Sequence, residues 1–248
     1  MMKRSRVYVG TSGWTYDDWQ GAFYPDEVKG AERLSYYATV FNAVEVNATF
    51  YRNPAPTAIT AWNRRLGPEF HLVVKGSRAV THLRKLADFD DALKACLDRV
   101  MQLKRLRVIL WQLPPSLHKD VERLDGFLRV LPISVRHAVE FRHESWWDDE
   151  AAGVLARHKA AFVAVSYPKL PDTWFPTTDF LYVRFHGLGK ELYSYDYSRK
   201  ELSEWVKRLE PDLEGRTLYA FFNNDYNANA PRNALLFREL LASVDTRQ

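Results

Sequence analysis

Apolar residues along this chain gather into short, nearly unbroken runs, and amphipathic stretches separate one run from the next. The runs cover residues 7–10, 43–47, 70–75, 107–112, 135–141, 162–166, 180–186 and 218–223. Between most of them, apolar positions recur at helical spacing, over 31–40, 57–66, 89–103, 121–130, 147–158, 199–209 and 232–244. Strands alternating with helices predict βαβ units and a parallel sheet. Runs without polar alternation fit strands covered on both faces. Eight such units in 248 residues predict an α/β fold, a single (β/α)8 TIM-type barrel with parallel strands spanning 1–248. The rival, an open doubly wound sheet, usually carries GxGxxG in its first turn. Here that turn reads Gly10-Thr11-Ser12-Gly13-Trp14.

Two carboxylates interrupt this pattern. Glu45 lies within Ala43-Val44-Glu45-Val46, and Glu140 within Ala138-Val139-Glu140-Phe141. A carboxylate rarely occupies a buried strand unless it is paired or chemistry requires it there. Strand parity places Glu45 on the face of Asn47, Glu140 on that of Arg142, and Arg184 on that of His186. Lys75, Gln112 and Asn223 each close a strand. The same parity puts His71 on the Lys75 face but low in the barrel. Nearly every strand thus delivers a polar group to one end, the end that carries barrel active sites. The connecting segments after the strands are rich in aromatic residues, among them Trp14, Tyr51, Trp146 and Trp147. Such rings above a polar floor suit a flat or ring-shaped ligand.

Composition narrows the classes. With 46% hydrophobic and 27% charged residues, the chain can build a large core and is not a disordered sequence. A net charge of +4 admits an anionic ligand without demanding nucleic acid. Cys96 is the single cysteine, so no internal disulfide forms, and its helical neighbours Leu93, Leu97 and Val100 make it a core residue. No apolar run reaches the ~18 residues of a membrane span, and a cytoplasmic location without membrane partners is the expectation. Two features favour anions: the small-residue turn at Thr11-Ser12-Gly13, and the loop 223–229, with Asn229 as the expected cap of the last helix.

In order along the chain stand GTSGWTYDDWQGAFYP (10–25), VEVNATFYRNP (44–54), FHLVVKGSRAVTH (70–82), QLPPS (112–116), VEFRHESWW (139–147), YVRFHG (182–187) and FNNDYNANAPRNA (222–234). With these blocks the chain resembles the family called domain of unknown function 72, the YecE-like family. The resemblance implies a TIM-type barrel and no established activity. It emphasises Ser12, Trp14, Asn47, Tyr51, Lys75, His82, Gln112, Arg142, Trp146, Arg184, Asn223 and Asn224 beside Glu45, Glu140 and His186.

Near-opposite carboxylates on strands two and five can serve as acid and base, or acid and nucleophile, as in glycoside hydrolysis. Neighbouring cations hold carboxylates ionised, which leaves His186 as proton donor. The expectation is therefore a hydrolase or lyase for a hydroxylated, phosphate-bearing ligand such as a sugar phosphate or nucleotide fragment. Glu45, Glu140 and His186 would be catalytic; the twelve residues emphasised above would bind substrate. Three alternatives stay open: a nucleic-acid-binding protein, with a basic rim at His82, Arg84 and Lys85; a metal-assisted phosphodiesterase; and a non-catalytic ligand sensor. An ion-paired floor is the structural explanation of the same glutamates. No cofactor is expected. A divalent metal lacks support, since no HxH, HExxH or cysteine cluster occurs. Oligomeric state is not legible.

Overall fold

The computed structural model describes residues 6–189 and 193–245. Its strands are β1 (Arg6–Thr11), β2 (Ala43–Val46), β3 (His71–Lys75), β4 (Leu106–Gln112), β5 (Arg136–Glu140), β6 (Ala161–Ser166), β7 (Phe180–Phe185) and β8 (Thr217–Phe222). They pair in parallel in the order β1-β8-β7-β6-β5-β4-β3-β2. The helices are α1 (Glu32–Val40), α2 (Ala48–Tyr51), α3 (Pro56–Arg65), α4 (Asp90–Val100), α5 (Val121–Arg129), α6 (Asp149–Arg157), α7 (Arg199–Leu213) and α8 (Asn229–Asp245). This is the expected eight-stranded barrel. No helix follows β6; residues 167–179 return as a loop. The short helix α2 and a π-helical turn at Ala79–Leu83 have no apolar period long enough to announce them.

Two apolar layers account for the unbroken runs. Val73, Val108, Leu110, Ala138, Val163, Val165, Tyr182 and Phe221 fill the barrel interior. Alternate residues such as Val44, Val74, Ile109, Trp111, Val139 and Val183 pack outward against the helices. Both faces of each strand are dry, so the pattern carries no alternation.

The seam between β1 and β2 is closed mainly by side chains. Its single strand bridge joins Ser12 to Glu45. Asn42 accepts from Val9 N–H at 3.1 Å and donates to Val7 C=O at 2.8 Å. The Tyr37 hydroxyl accepts from Thr11 N–H at 2.8 Å and donates to Ala43 C=O at 3.1 Å. These groups satisfy backbone that would otherwise be an open sheet edge. The close approach requires Gly10: a Cβ there would lie 2.0 Å from Ala43 O and 2.8 Å from the Tyr37 hydroxyl.

Asn229 corrects one expectation. It adopts helical angles and donates to Ser194 C=O at 2.9 Å, so it tethers a loop instead of capping α8. Asn227, with φ 57°, makes the turn into the helix.

Gly10→Ala is expected to lower unfolding stability by ~2–4 kcal/mol or to prevent folding. Gly126→Ala, in α5 with nothing beyond its own helix backbone within 4 Å of the new methyl, should instead raise it by ~0.5–1 kcal/mol. Urea denaturation of the pair measures both; equal effects would contradict the seam assignment.

Candidate active site

The ends of β2, β5 and β7 converge on one guanidinium. Arg184 is 1% exposed, and Glu45 and Glu140 are 0% exposed. Arg184 Nη2 donates to Glu45 Oε1 and Nη1 to Glu140 Oε2, each at 2.6 Å. Glu45 also accepts from the Ser12 hydroxyl at 2.6 Å and the Tyr182 hydroxyl at 2.5 Å. Glu140 accepts from Arg142 Nε. Parity explains the geometry: residues 45, 140, 182 and 184 all point into the barrel.

The charges balance. Burial alone would raise the Glu140 pKa, but Arg142, Arg184 and His186 outweigh it and hold it well below its ordinary value. Burial likewise works against the Arg184 charge, and Glu140 and Glu45 more than restore it. Burial, then Arg142 and Arg184, push His186 down to about 3, so its ring is neutral. His186 meets Arg142 Nη2 at 3.0 Å and the Asn223 amide at 3.1 Å. Asn47 donates on to Asn223 at 3.4 Å. The guanidinium of Arg142 sits over the Tyr167 ring at 4.9 Å.

Above this floor opens a cavity of about 460 Å³, lined by Tyr16, Asp18, Asn47, Tyr51, Lys75, Tyr193, Asn223, Asp225 and Tyr226. The structure thus brings Asn47, Tyr51, Lys75 and Asn223 together at the cavity wall. It places Glu45, Glu140, Arg142, Arg184, His186 and Ser12 in the floor, bonded to one another. The remaining residues are elsewhere. Trp14 packs edge-on against Trp62 at 5.6 Å. Trp146 stacks on Phe141 at 4.5 Å and donates to Leu117 C=O, which makes it a core residue. Asn224 is buried and braces the loop through Tyr195 C=O and Asn233, each at 2.7 Å. His82 packs edge-on against Phe50 at 4.8 Å, with burial and then Lys75 and Arg142 lowering it to about 4. Gln112 is half-buried in register with Glu140.

Two cavity groups have unusual protonation. Burial, then Arg184, lowers Lys75 to about 7 against the opposing pull of Glu140 and Glu45. Its ammonium lies 4.2 Å from the centre of the Phe50 ring, and among the described residues no carboxylate pairs with it. The Thr49 hydroxyl lies 2.7 Å from both Val46 C=O and Lys75 C=O and shares its one hydrogen between them, which links the ends of β2 and β3. Burial raises Asp225 to about 8, helped by Glu45 and Asp18 and opposed by Tyr16 and Arg184. Asp225 Oδ1 is buried without a hydrogen-bond partner. The Tyr16 hydroxyl beside it already donates to Ser12 C=O at 2.6 Å. Sequence reading missed Asp225, which sits in the polar loop 223–229 where a carboxylate looks solvated. Its flank Asn223-Asn224-Asp225-Tyr226 was the only available signal.

Among the described residues, no group of three or more His, Cys, Asp or Glu is placed to hold a metal ion, and no helix is long and apolar enough to cross a membrane. A closed α/β barrel with an aromatic, amide-lined pocket at its strand C-termini is the class these features define. Within it the chain belongs to the family described as "Protein of unknown function DUF72", whose model matches residues 8–248. The UPF0759 protein YunF of Bacillus subtilis (strain 168) is 25% identical over 270 residues, covering 95% of this chain and 94% of that protein. A DUF72 protein structure from Thermotoga maritima is 35% identical with TM-score 0.82, covering 96% of this chain and 99% of that one. Another from Enterococcus faecalis shares the fold at 19% identity and TM-score 0.79, covering 95% of each chain.

Arg184→Met should cost ~3–5 kcal/mol at neutral pH, because it strands two buried carboxylates. Adding Glu45→Gln and Glu140→Gln should recover most of that loss. Denaturant melts of wild type, Arg184→Met, the Glu45→Gln/Glu140→Gln pair and the triple variant read the coupling; simple additivity would contradict a shared floor. The depressed Glu140 pKa contributes stability above its ordinary value of 4.5 that is lost as pH falls through its folded value.

Proposed function

We propose that the protein is an acid–base catalyst of hydrolase or lyase type, with Lys75 as general base and Asp225 as general acid, acting on a hydroxylated ligand. The observation that carries this reading is the pair itself. A half-buried amine without a counter-ion and a carboxyl with an unpartnered buried oxygen line the same cavity. A low-pKa amine and a high-pKa carboxyl are the environment-split pair that proton transfer in both directions requires at neutral pH. In an elimination, Lys75 Nζ takes the proton from substrate carbon, the bond to the leaving oxygen breaks, and Asp225 passes its proton to that oxygen. In a hydrolysis the same amine deprotonates the attacking water.

Glu45, Glu140 and His186 support this site from below. Both glutamates are closed off by Arg184, and a neutral His186 bonded on two sides orients Asn223 and Arg142. With Arg142 and Arg184 neutralised, Lys75 is the only cation lining the pocket among the described residues, which also place Asp18 and Asp225 there. That balance favours a sugar-like ligand bound through amides and tyrosine rings over a strand of nucleic acid, whose phosphates need unpaired positive charge.

With a small-molecule panel of hydroxylated substrates, kcat/KM should rise through pH ~7 as Lys75 loses its proton and fall through ~8 as Asp225 ionises. Lys75→Met and Asp225→Asn should each lower it by ~10²–10⁴-fold. Stability gives an independent readout. Asp225 keeps its proton in the folded state up to about 8 but loses it near 3.8 when unfolded, so wild type weakens as pH rises across that window. The Asp225→Asn variant should therefore gain on wild type from pH 4 to 8 and then level off. The Lys75→Met gain should be full below 7 and vanish towards 10.5. Competitive acetylation at pH 7 should modify Lys75 well ahead of surface lysines. Labelling at the common surface rate would sink the assignment.

A further inference from the structure

Arginines without carboxylate partners gather at the opposite end of the barrel. A cavity of about 920 Å³ opens at the strand N-termini, on the far side of the interior layer from Lys75. Six cations line it (Arg6, Arg107, Arg129, Arg136, Arg157 and Lys159) against two carboxylates, Glu69 and Asp179. Arg136 is paired with Asp179 at 2.8 Å, and Arg129 and Arg157 with Asp125 outside the cavity. Among the described residues, Arg6, Arg107 and Lys159 have no carboxylate partner. Among those residues the only side-chain hydrogen bond of Arg107 is a local one to Leu106 C=O at 3.1 Å.

His71 forms the floor. Its ring stacks on Tyr8 at 3.6 Å and 13°, and its Nδ1 lies 2.8 Å from the Tyr219 hydroxyl. His71 Nε2 has no hydrogen-bond partner among the described residues, so the ring keeps a free polar edge. Burial, then Arg107, Arg136 and Arg6, lower His71 to about 4. A purely structural barrel base would set carboxylates against such cations. Here the like charges face a concavity, and concavity, fork-shaped donors and aromatic floor together match a compact polyanion.

We propose that the N-terminal mouth of the barrel is a second binding site, taking the phosphate group of a small phosphorylated molecule between Arg6 and Arg107, with the stacked rings of His71 and Tyr8 as its floor. The site is separate from the Lys75 pocket and stands whether or not that pocket is catalytic.

Inorganic pyrophosphate is the probe, titrated calorimetrically into the full chain at low salt. Wild type should give saturable heat and a rise in Tm. Affinity should fall at least about tenfold in the Arg6→Gln, Arg107→Gln double variant and stay unchanged in Lys75→Met. Without pyrophosphate the double variant should melt no lower than wild type, because it removes unpaired like charges. Where that variant does not fold, Arg107→Lys keeps the charge, loses the fork and should still weaken binding about threefold or more. No saturable binding, equal binding by the double variant, or loss of binding in Lys75→Met would each overturn the proposal.

Discussion

Everything polar in the upper barrel is arranged around the Arg184 guanidinium. It enters from β7 and bonds Glu45 on β2 and Glu140 on β5, tying together strands that share no edge. An isolated charge at this depth would be prohibitive, and two carboxylates without it would repel. With Arg142 completing the set, two positive and two negative groups make a neutral plug. Its value to the fold lies less in net stability than in register, since a one-residue slip of any contributing strand would send its charge into the apolar outer layer.

That plug decides which groups remain free to react. The glutamates are the most conspicuous polar residues in the sequence, but their oxygens are consumed by Ser12, Tyr182, Arg142 and Arg184. The field they leave behind is small, so Lys75 answers chiefly to burial and to the nearby Arg184, and it loses its proton easily. Asp225, reaching in from the last loop, is desolvated on a different wall and keeps its proton. In the proposed reaction the floor thus acts indirectly, by leaving one amine and one carboxyl in their less usual protonation states. Proton transfer at neutral pH uses those states.

The sequence revealed strands better than it revealed roles. Eight runs and seven of the helices were legible because burial on both strand faces and amphipathic helices leave strong periodic signals. Asn47, His186 and Asn223 lie one residue beyond their strands, a boundary that apolar pattern cannot resolve. Strand parity correctly grouped Glu45, Glu140 and Arg184 on the inner face and set His71 low in the barrel. It could not say that Arg184 would claim both glutamates, because partner choice depends on side-chain reach across the barrel. Trp146 and Asn224 read as binding residues because aromatic and amide groups near strand ends serve packing and loop bracing equally well. Asp225 was invisible for the opposite reason: its surroundings come from distant sequence, with Tyr16 on the same cavity wall and the Trp19 indole bonding its backbone carbonyl across 206 positions.

The central claim is a division of labour, with glutamates locked as ion-pair partners and Asp225 held as an acid. Carbon-13 NMR titration of side-chain carboxyls, with Asp225 assigned through its Asn variant, tests it directly. The account predicts one aspartate titrating near pH 8 and a Glu140 signal that stays ionised well below 4.5. A Glu140 resonance titrating between pH 5 and 8, with Asp225 near its ordinary value of 3.8, would contradict it.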